Sequence, residues 1–250
     1  DSNCRELLNA GPRVLSRSAF RNAINHLELA EKLHPVDPLM AALRALTAEE
    51  EAASGLMYCL KECGYDRADL LKPKDHAWKN AVMPFVNMLG MFFHETLHAN
   101  GVHPELHLVD QEGTTRLAVM LPIIVAGKET WAFPIPPLNF GVTAEAKRIS
   151  YKKQLDKFLD GKGAKDVVSY IKKQANVRNR LLYAGSEGYP SGVGLPNGFY
   201  EDRVGRVMVL LRAYLLIQPY REKQTFVQHS LDAFLAMLGS LKEHDLHDEL

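Results

Sequence analysis

Hydrophobic residues recur along most of this chain at spacings of three and four, the period of helices that bury one face. Phe20, Ile24 and Leu27 form such a stripe within residues 12–33, where Pro12 suits a first turn. Residues 38–63 are the most regular stretch. Leu39, Leu43, Leu46, Glu50, Ala53, Met57 and Leu60 alternate steps of four and three, which predicts a packed seam. Asp37 before Pro38 reads as a cap followed by a first-turn proline, and Gly64 ends the helix. Residues 76–100 carry Phe85, Leu89, Phe92 and Phe93, with Pro84 near the helix start or at a kink. Further helices are expected at 144–160, 164–183, 200–218 and 220–241.

The period changes at 105–134. Leu106 and Leu108 alternate with other residues, 114–125 is rich in β-formers, and 110–113 and 126–128 read as turns. The expectation is an inserted antiparallel β hairpin or small three-stranded sheet, ended by Pro134, Pro136 and Pro137. The chain thus reads as a single, mainly α domain over 1–250 with a β insertion at 105–134. At 250 residues and 46% hydrophobic it can build a core without disulfide staples.

Charge refines this picture. Thirty basic residues balance thirty acidic ones, yet residues 144–183 hold eleven Lys or Arg against four Asp or Glu. Such a run is either a solvated helix face or a surface for phosphates such as those of RNA. The odd set Cys4, Cys59 and Cys63 points to reduced thiols, with Cys59 and Cys63 on one helix face as core packing. No run approaches a membrane span, and the first residues lack the apolar centre of a signal peptide, so a cytoplasmic protein is expected.

Two charges interrupt apolar stripes. Glu50 occupies a seam position, where an unpaired carboxylate is costly. Arg178 follows Val167, Ile171 and Ala175 and precedes Leu182 on one stripe, and a guanidinium there calls for a carboxylate or a phosphate. Glu50 is the obvious internal partner. Asn179 and Tyr183, four apart, share a neighbouring face.

Three segments carry a family resemblance. Ala48-Glu49-Glu50-Glu51, His76-Ala77-Trp78-Lys79, and Arg178-Asn179 with Leu182-Tyr183 before a Gly/Pro loop resemble segments of the HEPN superfamily, and within it the AbiV-like abortive-infection group. The resemblance implies a multi-helix bundle, a homodimer, and a phage-defence or toxin-type role on RNA or translation. It also implies metal-independent ribonuclease chemistry, with Arg178 on the phosphate, Asn179 and Tyr183 positioning substrate, and Glu50 orienting Arg178. The chain departs from that pattern at Tyr183, which stands where the family has histidine; a phenol of pKa about 10 is a poor base. The β insertion has no counterpart in a minimal HEPN bundle. The same letters recur at Arg21-Asn22 and His26, on an early helix with Arg21 on its polar side, and are read as coincidence.

Two other readings compete. One is a non-catalytic helical module that binds a protein partner through the β insertion. The other is a zinc-dependent hydrolase or peptidase built on His94-Glu95-Thr96-Leu97-His98, with His94 and His98 as Zn ligands and Glu95 as base. The longer zinc pattern would need histidine at 104, which is Pro104; His103 is one position early. Phosphate-loop, nucleophile-elbow and Cys-x-x-Cys patterns are absent from the sequence.

Overall fold

The computed structural model describes residues 2–10, 14–97, 101–111, 113–140, 143–144, 147–148 and 198–247. For residues 95, 96, 124, 129, 143–144, 147–148 and 240–247 it describes the backbone alone. These residues form six α-helices: α1 Ser2–Ala10, α2 Leu15–Leu33, α3 Pro38–Glu62, α4 His76–Leu97, α5 Phe199–Ile217 and α6 Thr225–His247. Between α4 and α5 stand three antiparallel strands in the order β1-β2-β3, namely Glu105–Gln111, Thr114–Val125 and Lys128–Ala132. The architecture is mainly helical with a small inserted sheet, as the periodicities require.

Helix α3 is the axis of the helical part, with α2, α4 and α5 packed around it. The Asp37 carboxylate accepts a 3.0 Å hydrogen bond from the Met40 amide, satisfying one of the amides that a helix start leaves open. Of the seam expected from the spacing, Leu46, Ala53 and Met57 are buried, while Leu39, Leu43 and Leu60 are only half-buried. Apart from Glu49, small residues fill the other buried positions: Ala41, Ala42, Ala45, Ala48, Ala52, Ser54, Gly55 and Cys59. They let neighbouring helices come close on several sides at once. At Gly55 the fully buried Phe20 ring of α2 lies directly against the α3 backbone, and its centroid is 4.7 Å from that of Tyr214 on α5. This contact joins α2, α3 and α5.

Helix α4 runs unbroken through Pro84. Its Trp78 and Phe85 meet Phe234 of α6 edge-on, at centroid distances of 6.2 and 5.3 Å. The sheet joins the helices through Leu117, which is buried in the main core, and through Arg116, whose guanidinium lies 5.2 Å over the Tyr220 ring.

Several boundaries differ from the sequence expectation. Helix α1 was not anticipated; only Cys4 and Leu8 are buried along it, too few to make a stripe. Strand β1 continues through Gln111, so the turn is shorter than 110–113. Strands β4 Thr143–Ala144 and β5 Lys147–Arg148 pair as a two-stranded ladder, where a helix was expected to begin. Helix α6 starts at Thr225 rather than at 220, because Gln224 is engaged as a buried tie. Its side chain accepts from the Leu138 amide at 2.7 Å and donates to the Leu216 carbonyl at 2.8 Å. The helices expected through 183 fall, beyond that ladder, outside the described residues. Among the described residues no helix is long and apolar enough to cross a membrane.

Candidate functional site

The middle of α3 carries three consecutive acids, and successive helix residues point about 100° apart. Each acid therefore faces a different neighbour. Glu49 is directed at α5, where it accepts from Arg203 in a close buried ion pair and from Arg206 at 3.5 Å. Arg206 also holds Asp202 at 2.8 Å. Glu50 is directed at α4, where one carboxylate oxygen accepts from His76 Nδ1 at 3.0 Å and from Lys79 Nζ at 3.1 Å. Glu51 accepts from Asn22 of α2 at 3.1 Å.

The first turn of α4 is built to deliver its two groups. Asp75 caps the helix by accepting from the Ala77 amide at 2.9 Å and the Trp78 amide at 3.3 Å. Residues three apart then share a face, so His76 and Lys79 both reach Glu50. One turn further along α3, Ser54 Oγ donates to the Pro73 carbonyl at 2.8 Å and pins the loop that leads into α4. Lys79 and Glu50 are nearly enclosed, whereas the His76 side chain is 54% exposed.

This geometry has a chemical consequence. A carboxylate at Nδ1 of an imidazole favours the tautomer with its proton there, which leaves Nε2 as the basic atom. The Glu50–His76 pair can accept and return a proton at that atom. Lys79, on the same carboxylate oxygen, fixes Glu50 from the protein side. Among the described residues, Glu49, Glu50 and Asp202 pair with Lys79, Arg203 and Arg206.

A second polar group lies between α2 and α3. Arg44 Nη1 and His26 Nδ1 are 3.2 Å apart. Burial, and then the Arg44 charge, hold His26 below the usual imidazole pKa, with Glu51 pulling the other way. Arg21 Nη2 donates to the Asn9 carbonyl at 3.0 Å. The Arg21, Asn22 and His26 letters thus tie α2 to α1 and α3.

Of the residues singled out in the sequence, Glu50 sits in the charged layer beside His76 and Lys79. Arg178, Asn179 and Tyr183 lie outside the described residues, and with them the expected Arg178–Glu50 pairing. His94 is on α4, while the Glu95 side chain and His98 are outside what is described. Among the described residues, no group of three or more His, Cys, Asp or Glu is placed to hold a metal ion. Arg203 and Arg206 were missed, although a signal existed. Phe199, Arg203, Val207 and Leu211 follow one another at steps of four, so Arg203 interrupts an apolar stripe just as Arg178 does.

Compared with protein-family models, with curated proteins and with solved structures, the chain matches none.

Proposed function

We propose that this protein is a HEPN-like, AbiV-like phage-defence or toxin-type protein that acts on RNA as a metal-independent ribonuclease. The observation that carries the reading is the convergence of Glu50, His76 and Lys79. Two segments that resemble the AbiV-like group, more than twenty residues apart in sequence, meet at one carboxylate.

That convergence also answers the objection raised by Tyr183. RNA carries its own nucleophile, and cleavage needs a base at the 2′-hydroxyl, charge on the phosphate, and a proton for the departing 5′-oxygen. His76, oriented by Glu50 through Nδ1, supplies a base at Nε2. Arg178 supplies the phosphate contact, with Asn179 and Tyr183 positioning the substrate. His76 takes the 2′-hydroxyl proton, the 2′-oxygen attacks phosphorus, the P–O5′ bond breaks, and the 5′-oxygen takes a proton from water, leaving a 2′,3′-cyclic phosphate and a 5′-hydroxyl. The basic 144–183 segment, with its local excess of seven positive charges, attracts the polyanion. A homodimer that joins two such surfaces belongs to the same proposal.

The test is cleavage of end-labelled structured RNA in excess EDTA by the wild type, Arg178→Ala and His76→Gln. Cyclic-phosphate ends that disappear in both variants support the assignment. Folded wild-type protein that leaves RNA intact, or variants that cleave normally, would overturn it.

A second reading, a non-catalytic binding module, is favoured by the sheet. Its register sets Leu106, Leu108, Leu117, Val119, Leu121, Ile123 and Val125 on one face. Leu106, Leu108, Ile123 and Val125 remain exposed there. Loss of partner capture on Ile123→Lys, with RNA untouched by the wild type, would favour that reading.

A further inference from the structure

The last turn of α3 holds a pair of thiols that the charged layer does not use. Cys59 and Cys63 lie four residues apart with their sulfurs 4.0 Å from each other, within hydrogen-bond reach. Neither is in a disulfide. Cys59 is fully enclosed in the core, whereas Cys63 is half-buried at the helix end.

We propose that Cys59 and Cys63 form a peroxide-oxidisable dithiol that closes to a disulfide within the final turn of α3. The spacing permits closure. Residues four apart on a helix have Cα atoms about 6 Å apart, inside the range of roughly 4.4–6.8 Å that disulfides span. The sulfurs must approach from 4.0 Å to bonding distance. Cys63 can supply that movement because it is the C-cap residue, and Gly64 follows it at φ +68°, already out of the helix. The Cys63 amide keeps its bond to the Cys59 carbonyl at 2.9 Å, so the movement falls to the side chain.

The two thiols differ in the way a sequential reaction needs. Cys63 is the accessible one, and the hydrogen bond from Cys59 draws its pKa below the usual thiol value against the opposing effect of burial. Cys59 is held well above the usual value by that same hydrogen bond and by burial, so it waits as a thiol. Cys63 ionises, its thiolate attacks an oxygen of a hydroperoxide and the O–O bond breaks; the departing oxygen takes up the proton that Cys63 released, leaving a sulfenic acid and water or an alcohol. The Cys59 sulfur then attacks the sulfenic sulfur, the S–O bond breaks, and hydroxide leaves with the Cys59 proton as water. Two thiols and one peroxide give one disulfide; the sulfurs lose two electrons and the peroxide gains them.

Glu62 lies between the two cysteines and ties α3 to the start of α2, accepting from the Ser16 amide at 3.0 Å and from the Ser16 hydroxyl. Closure therefore acts on a turn that anchors α2.

The chain carries its own assay. Lys61 lies between the two cysteines, so trypsin separates Cys59 from Cys63 unless they are bonded. The full-length protein is treated with one equivalent of hydrogen peroxide, quenched with iodoacetamide, digested and weighed by mass spectrometry. The expected result is the two peptides joined, lighter than their sum by two hydrogens, and parted by reductant. In Cys59→Ser, Cys63 should instead be trapped as a sulfenic acid by dimedone. Cys63 that remains alkylatable, oxidises only to sulfinic acid, or links only to other molecules would overturn the proposal. If Cys59→Ser fails to fold, the wild-type peptide readout decides alone.

Discussion

Replacing Gly55 with alanine sets two effects of opposite sign against each other. Gly55 is inside α3, where alanine is favoured over glycine by about 1 kcal/mol in helix propensity. Against that, a Cβ at Gly55 would sit 2.7 and 2.8 Å from two Phe20 ring carbons and 3.2 Å from the Ser16 carbonyl oxygen. Carbon atoms pack at about 3.5–4.0 Å, so the ring must retreat by roughly 0.7 Å or more. Phe20 is fully buried and backed by the equally buried Tyr214, which leaves it no free direction. Overpacking a filled core costs about 1–3 kcal/mol, and a trapped ring beside a backbone oxygen belongs at the upper end. The net expectation for Gly55→Ala is a loss of about 1–2 kcal/mol. In a chain of this size that lowers Tm by roughly 2–8 °C. The internal control is Gly205→Ala on α5, where nothing lies within 4 Å of the added methyl. There propensity acts alone, and Tm should rise by about 2–4 °C. Scanning calorimetry of both variants reads the opposite signs directly. A Gly55→Ala protein that melts at or above the wild type would refute the close approach of α2 to α3.

Three further outcomes follow from the same structure. Glu49→Ala takes the carboxylate away from the buried Arg203 guanidinium and should cost about 3–5 kcal/mol in urea unfolding, with partial recovery on adding Arg203→Met; a near-neutral Glu49→Ala would contradict the buried pair. His26 is held below the usual imidazole value, so the unfolded chain takes up this proton first; stability should be full above about pH 6.5 and fall on acidification, with a shallower fall in His26→Gln. Identical pH slopes for the two proteins would reject that account. Burial pushes Tyr65 up to about 12 despite the hydrogen bond it accepts from the Gln224 amide. A late step in the tyrosinate absorbance titration should vanish in Tyr65→Phe. Because the folded state keeps a proton that the unfolded chain has lost, stability should decline from about pH 10 toward 12.

What the sequence disclosed followed period. Helices α2, α3 and α5 and the three strands announced themselves because each has an apolar face of the right spacing. Helix α1 did not, since it buries only Cys4 and Leu8. The seam on α3 was half right for a physical reason: a helix enclosed on several sides has no single seam, and alanines carry its contacts without standing out. Glu50 was legible as a charge in an apolar row that needed a partner. Its partners were not, because hydrogen bonds from His76 and Lys79 depend on how the loop at 73–75 aims α4. Arg203 was reachable by the rule that picked out Arg178, yet its pairing with Glu49 spans more than 150 residues and no local pattern encodes it.

The triplet Glu49, Glu50 and Glu51 has a consequence for the identity of the fold as well as for its chemistry. A central helix lined with alanines presents similar surfaces at several rotations, and among its apolar contacts the Phe20 approach to Gly55 is one of the few that tells them apart. Three acids with three separate sets of partners remove that freedom. Turning α3 by one residue, about 100°, would carry Glu49 away from Arg203 and Glu50 away from Lys79. Each buried charged group left without its hydrogen bonds costs at least about 1–3 kcal/mol. The alternative settings are thereby raised together, and α3 is left with one rotation among otherwise similar ones. The axis of the bundle is clocked by charge as well as by shape.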